Sequence, residues 1–163
     1  MAVDYFLKID GIEGESQDDK HKNEIDVLSW SWAESNAGTA SGSTGAGAGA
    51  GKVAMQDFHF TMRMNKATPK LLEACATGKH HDKATLICRR AGEKQQEYLK
   101  IEFKEVLVSS YQTGGSSGDD GVPVESVSLN FAEIKMDYCP QKKDGTLDGA
   151  INAGYNVKQN KKV

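Results

Sequence analysis

The stretch QEYLKIEFKEVLVSSYQ, residues 96–112, constrains the fold more than any other feature of the chain, because it alternates apolar and polar side chains far past the length of an ordinary strand. Leu99, Ile101 and Phe103 fall on one face of such a strand, whose side chains point to opposite sides in turn. Apolar residues resume out of step at Val106 and Val108, so a bulge or bend is predicted near Lys104 and Glu105. A strand of this kind must bury one face and must have its edges closed, covered or paired.

Other stretches repeat the pattern. Val3, Tyr5, Leu7 and Ile9 alternate with Asp4, Lys8 and Asp10, while Phe6 makes the second face partly apolar. IDVLSWSW places Leu28, Trp30 and Trp32 on one face and Ile25, Val27, Ser29 and Ser31 on the other. Gln56, Phe58, Phe60, Met62 and Met64 share a face of a further long strand, KATLICRR reads as another, and GYNVKQ as a possible terminal one. PVESVSLNFAEIKMDY alternates through Val127, Leu129 and Phe131 and then steps by three to Ile134, which predicts a second bulge. The convincing helix is KATPKLLEACATGK: Thr68 can cap it, Pro69 suits its first turn, Gly78 can close it, and Leu71, Leu72 and Cys75 form an apolar stripe. One short helix among six or seven strands predicts a mainly β, antiparallel sandwich or barrel, as a single domain over residues 1–163.

Several function classes fall away. A net charge of −3 supplies no basic footprint for nucleic acid. The start, MAVDYFLKIDGIEGES, lacks the basic and apolar regions of a signal peptide, and no apolar run approaches the roughly 20 residues that cross a bilayer; no membrane insertion and a cytoplasmic start are expected. Cys75, Cys88 and Cys139 are widely spaced without a C-x-x-C pair and read as reduced, buried thiols.

The glycine-rich stretch GTASGSTGAGAGAGK, residues 38–52, is not a phosphate loop. Counting back from Gly51 and Lys52 puts Ala46 where the first glycine is needed, and Val53 replaces the hydroxyl residue. A dinucleotide reading through Gly45, Gly47 and Ala50 lacks the strand before it and the helix after it. A linker or a contact surface remains.

GKHHDK places His80 and His81 beside Asp82, but neighbouring residues point in different directions and the spacing matches no zinc pattern, so solvated turn histidines are expected. His21 and His59 have no nucleophile or carboxylate partner at motif spacing, no G-x-S-x-G elbow occurs, and the acid pairs Asp18–Asp19 and Asp119–Asp120 sit in turns. No enzymatic activity and no cofactor or metal are expected. Trp30 and Trp32 read as core, which leaves Ser29 and Ser31 on a small hydroxyl face, suited to solvent or to a cavity that holds something without adhering to it.

Taken in order, MAVDYFLKIDGIEGES, HKNEIDVLSWSW, TPKLLEACATGKH, YLKIEFKEVLVSSYQTGGS and SVSLNFAEIKMDY closely resemble the haemolysin-coregulated protein (Hcp) family, the tube subunit of bacterial type VI secretion. The resemblance implies a small antiparallel β-barrel of two sheets with one short flanking helix, assembling as a hexameric ring. Rings would stack into a hollow tube related to phage tail tubes, expelled by a contractile sheath behind a spike tip, with effectors held or chaperoned in the lumen. It implies secretion without a cleaved signal peptide. Residues 38–52 would be the extended loop between stacked rings, with Gly45, Gly47, Gly49, Gly51 and Lys52 as its contact residues, mobile in an isolated ring and ordered on stacking. Ser31, with Ser29 beside it, would touch cargo. Two alternatives stand beside this reading: a phage-type tail-tube protein, and a soluble metal-binding enzyme using His80, His81 and Asp82.

Overall fold

The computed structural model describes residues 2–38, 51–92, 94–118 and 121–163. Gly45, Gly47 and Gly49, the expected mobility of their loop, and the Asp119–Asp120 pair lie outside the described residues. In chain order the elements are β1 (Val3–Ile9), β2 (Ile25–Val27), β3 (Ser29–Ser31), β4 (Glu34–Asn36), β5 (Val53–Met55), β6 (Phe58–Arg63), α1 (Thr68–Thr77), β7 (His80–Arg90), β8 (Gln96–Gln112), β9 (Val124–Asn130), β10 (Glu133–Tyr138), β11 (Ile151–Asn156) and β12 (Lys161–Lys162).

Every strand pair is antiparallel, and β8 organises the whole. Its first half pairs with β7 and β10, within the run β12-β11-β10-β8-β7-β1-β2; its last part pairs with β9, which continues to β6 and β3. The switch comes where the alternation slips: Glu105 has φ 52°, and the buried positions change from Ile101 and Phe103 to Val106 and Val108. The predicted bend is therefore present. Ten strands thus form one sheet that folds over a single core, while β4 and β5 pair as a separate hairpin. The implied barrel does not close, for among the described residues no ladder joins β2 to β6. One backbone bond, from Leu28 N–H to Thr61 O at 2.8 Å, spans that seam.

Leu28 also corrects the reading of IDVLSWSW as one strand. β2 pairs with β1 and buries Ile25 and Val27, whereas β3 pairs with β6 and turns Trp30 inward. Leu28 is the extra residue at the corner and stays 45% exposed, so it does not share the face of the tryptophans in the core. Likewise, the step from Phe131 to Ile134 is a break between β9 and β10 rather than a bulge within one strand, because the two pair with different stretches of β8. The strand expected from Met55 onward is broken at Gln56 and Asp57, and it ends before Met64, which is exposed.

The core is aromatic at its centre: Phe103 lies 4.8 Å from Phe58 and 4.9 Å from Phe131 between ring centroids, and Trp30 stacks on Phe58 at 6.1 Å. Helix α1 lays Leu71 and Ala74 on it, while Leu72 faces out. Thr68 is the first helical residue, not the cap; Ala67 holds the cap position without a side-chain bond. The Asn65 side chain instead accepts from Ala67 N–H at 2.8 Å, and the Thr68 hydroxyl accepts from Asn65 N–H at 3.1 Å. Gly78 ends the helix in the left-handed region, as expected, at φ 67°.

The polar segment after β1 crosses the outer face of β1 and β7. There the ring of Phe6 stacks on His21 at 4.4 Å, and the His21 ring nitrogens reach Glu24 at 2.9 Å and Glu97 at 2.7 Å. The carboxylate partners absent from sequence motifs are thus supplied by folding. All three cysteines are free; Cys88 is buried, which pushes its thiol up to about 12, and Cys75 and Cys139 are half-buried.

Candidate functional site

The sheet face formed by β3, β6, β9 and the end of β8 is small and polar on its outer side. Cross-strand partners share a face, so the register fixes its composition. Ser29 lies opposite Thr61, Thr61 opposite Ser126, and Ser126 opposite Gln112. In the neighbouring row Ser31 lies opposite His59, His59 opposite Ser128, and Ser128 opposite Ser110. The inward row between them is Trp30, Phe60, Val127 and Tyr111, which sets the hydroxyls on the opposite side from the core. A shallow depression of about 690 Å³ lies over these residues.

The hydroxyls largely satisfy one another. Ser29 and Thr61 are 2.6 Å apart, Ser128 bonds with Ser110 and lies 3.0 Å from Ser109, and Ser109 donates to Asp57 at 2.6 Å. Asn130 donates to the other oxygen of Asp57 at 2.9 Å. Beneath the face, the fully buried Glu125 accepts from the Thr68 hydroxyl and the Tyr111 phenol, which ties α1 to β9 and β8. Burial, helped by that carboxylate, raises the Tyr111 phenol above its ordinary range.

Ser31 and Ser29 are both exposed on this face, opposite Trp30, where the alternation put them. Sequence reasoning missed Thr61, Ser126, Ser128, Ser110 and His59 as their companions. The signal was present in part, since these residues alternate with Phe58, Phe60, Met62, Val127 and Leu129, but only the register brings the strands side by side.

Of the loop residues, Gly51 accepts from the Asn36 side chain at 2.8 Å, and Lys52 is exposed beside a groove of about 580 Å³ that reaches Tyr155 and Asn160. His80, His81 and Asp82 lie in β7, not in a turn. His80 and Asp82 are exposed, whereas His81 is buried with Nδ1 2.8 Å from the carbonyl oxygen of Asp10, so the two imidazoles diverge. Among the described residues no group of three histidine, cysteine or acidic side chains is arranged to hold a metal.

Comparison with known proteins follows the same architecture. Residues 6–138 match the family described as "Type VI secretion system effector, Hcp". The chain is 58% identical to protein hcp1 of Pseudomonas aeruginosa over 162 residues, covering 98% of each. The crystal structure of Hcp1 from Salmonella typhimurium aligns over all of both chains with TM-score 0.79 and 40% identity. A structure described as that of a type six secretion system protein aligns over 99% of this chain and 100% of its own with TM-score 0.91 and 33% identity.

Proposed function

The chain belongs to the Hcp family and is a subunit of the type VI secretion tube, and from that premise we propose that six copies close into a ring whose lumen is lined by the hydroxyl face of β3, β6, β9 and β8. The observation that carries this reading is the uniformity of that face: eight register positions across four strands hold five serines, a threonine, a glutamine and a histidine, and of the serines Ser128 is buried.

The edges support a ring as well. On one side of the face β3 pairs only with β6; on the other, β8 beyond Leu107 pairs only with β9 among the described residues. Two unlike free edges on one sheet favour head-to-tail contact, and a head-to-tail contact that closes makes a ring. The joined sheets would form a continuous inner wall, with α1 packed on the side of the sheet away from the lumen. Effectors ride inside against Ser31 and Ser29, residues 38–52 with Gly45, Gly47, Gly49, Gly51 and Lys52 contact the next ring, and the stacked tube meets sheath and spike-tip proteins. The subunit is assembled in the cytoplasm and leaves with the tube, without a cleaved signal peptide. Its work is mechanical and steric rather than catalytic. The divergence of His80 and His81 gives the metal-enzyme alternative no support.

Light scattering on a size-exclusion column tests the ring, with an expected mass near six times 17.7 kDa; a persistent monomer overturns it. Ser31→Gln should keep that mass yet reduce cargo recovered in a pull-down about tenfold, equivalent to about 1.4 kcal/mol. Undiminished capture by an intact variant ring would remove Ser31 from the cargo surface.

A further inference from the structure

Among the side chains of the hydroxyl face, one is an imidazole, the side-chain type whose charge changes nearest to neutral pH. His59 is exposed near the start of β6, opposite Ser31 on β3 and Ser128 on β9, with Ser110 next in the same row. We propose that His59 makes the grip of this face on cargo depend on pH, so that acidic polypeptide surfaces are held more tightly under mildly acidic conditions. The inference rests on the lumen reading above.

The other groups on this side of the sheet are neutral or of constant charge. The register partners of His59 are Ser31 on β3 and Ser128 on β9, and the same face carries Ser29 from β3, Ser126 and Asn130 from β9 and, one strand further, Ser109, Ser110 and Gln112 from β8, all of which bear hydroxyls or amides. Asp57, two residues before it on the same side of the chain, is occupied by Ser109 at 2.6 Å and Asn130 at 2.9 Å. Arg63, at the end of β6 opposite Val124, carries a constant positive charge. The Tyr111 phenol is turned to Glu125, on the core side. Histidine is the side chain that gains a proton between about pH 8 and about pH 5.5, whereas hydroxyls and amides stay neutral.

Ring symmetry multiplies the effect. Six copies set six imidazoles on one circle of the wall, and each further ring adds another circle. Charges of one sign that line a confined channel reinforce one another's field. A polypeptide rich in aspartate and glutamate keeps its negative charge over the same interval, so it would meet a wall on which Asp57 and Arg63 offset each other at the upper end and a more positive one at the lower.

A rhodamine-labelled oligoglutamate peptide, whose dye does not titrate in this interval, read by anisotropy against the purified ring, tests the proposal, with ring mass followed by light scattering at each pH. Wild-type protein and His80→Gln, altered at the exposed histidine outside the face, should bind about tenfold more tightly at about pH 5.5 than at about pH 8. His59→Gln should form the same ring and lose that dependence. Equal pH dependence in His59→Gln, or none in wild type, overturns the role of His59 while the ring stands. A chain that scatters as a monomer overturns the lumen itself, and this proposal with it.

Discussion

Arg89 carries a full charge on a side chain only 3% exposed, and the chain surrounds it with compensating groups. Its guanidinium donates to both oxygens of Asp18, at 3.0 and 2.6 Å, and to Asp4 at 3.1 Å, and lies 4.8 Å from the centre of the Phe6 ring. A buried charge without such partners would be costly. The hydrogen bond from Arg89 holds the Asp18 carboxyl down to about 2, against the ordinary carboxylate range. Because the folded value is depressed, the stabilisation is complete above the unfolded value and is lost as pH falls through it toward about 2. Urea denaturation across that interval should show the loss. Asp18→Asn should be less stable by about 2 kcal/mol at neutral pH and should show a shallower acid slope. An unchanged slope would mean that Asp18 does not report on folding.

At the scale of the element, the strands are straight only between corners. β8 turns at Glu105, a non-glycine residue in the left-handed region with φ 52°. Glu105→Gly should leave stability unchanged or raise it by up to about 1 kcal/mol, since glycine relieves the strain but loses more entropy on folding. Glu105→Val should lower it by about 1–2 kcal/mol, because a β-branched residue tolerates that conformation poorly. Thermal unfolding of the two variants decides the matter, and equal effects would argue against a conformational cause. This corner was legible because the apolar positions on either side of it belong to one strand and simply change parity. The corner at Leu28 was not, since a leucine beside two tryptophans satisfies alternation as well as an unbroken strand does, and only pairing with β1 on one side and β6 on the other separates β2 from β3. The hydroxyl face shows the same division. Alternation exposed Ser29 and Ser31 one strand at a time, while the neighbours that make them a surface, from His59 to Ser126 and Ser128, come from distant parts of the chain, brought together by register. His21 illustrates the limit further, because Glu97 reaches it only through tertiary folding.

For the whole molecule, the proposed ring would join the edges at β3 and at the end of β8, which lack a second partner among the described residues, chiefly through backbone hydrogen bonds. Such a joint is little screened by salt, whereas one made of surface ion pairs would weaken. The ring mass should therefore persist in about 1 M sodium chloride, where the Debye length is about 3 Å. Dissociation into lighter species at that salt, followed by light scattering, would require an electrostatic joint instead. The hydroxyl face has a consequence of another kind. Ser29 is already bonded to Thr61, Ser110 to Ser128, and Ser109 to Asp57, so a protein sliding past finds few unsaturated groups to seize. In the language of lubrication, the face is passivated at these pairs: a hydroxyl already bonded to its neighbour has less to offer a passing surface, and a ring lined as proposed would have a bore of low friction, able to release what it carries.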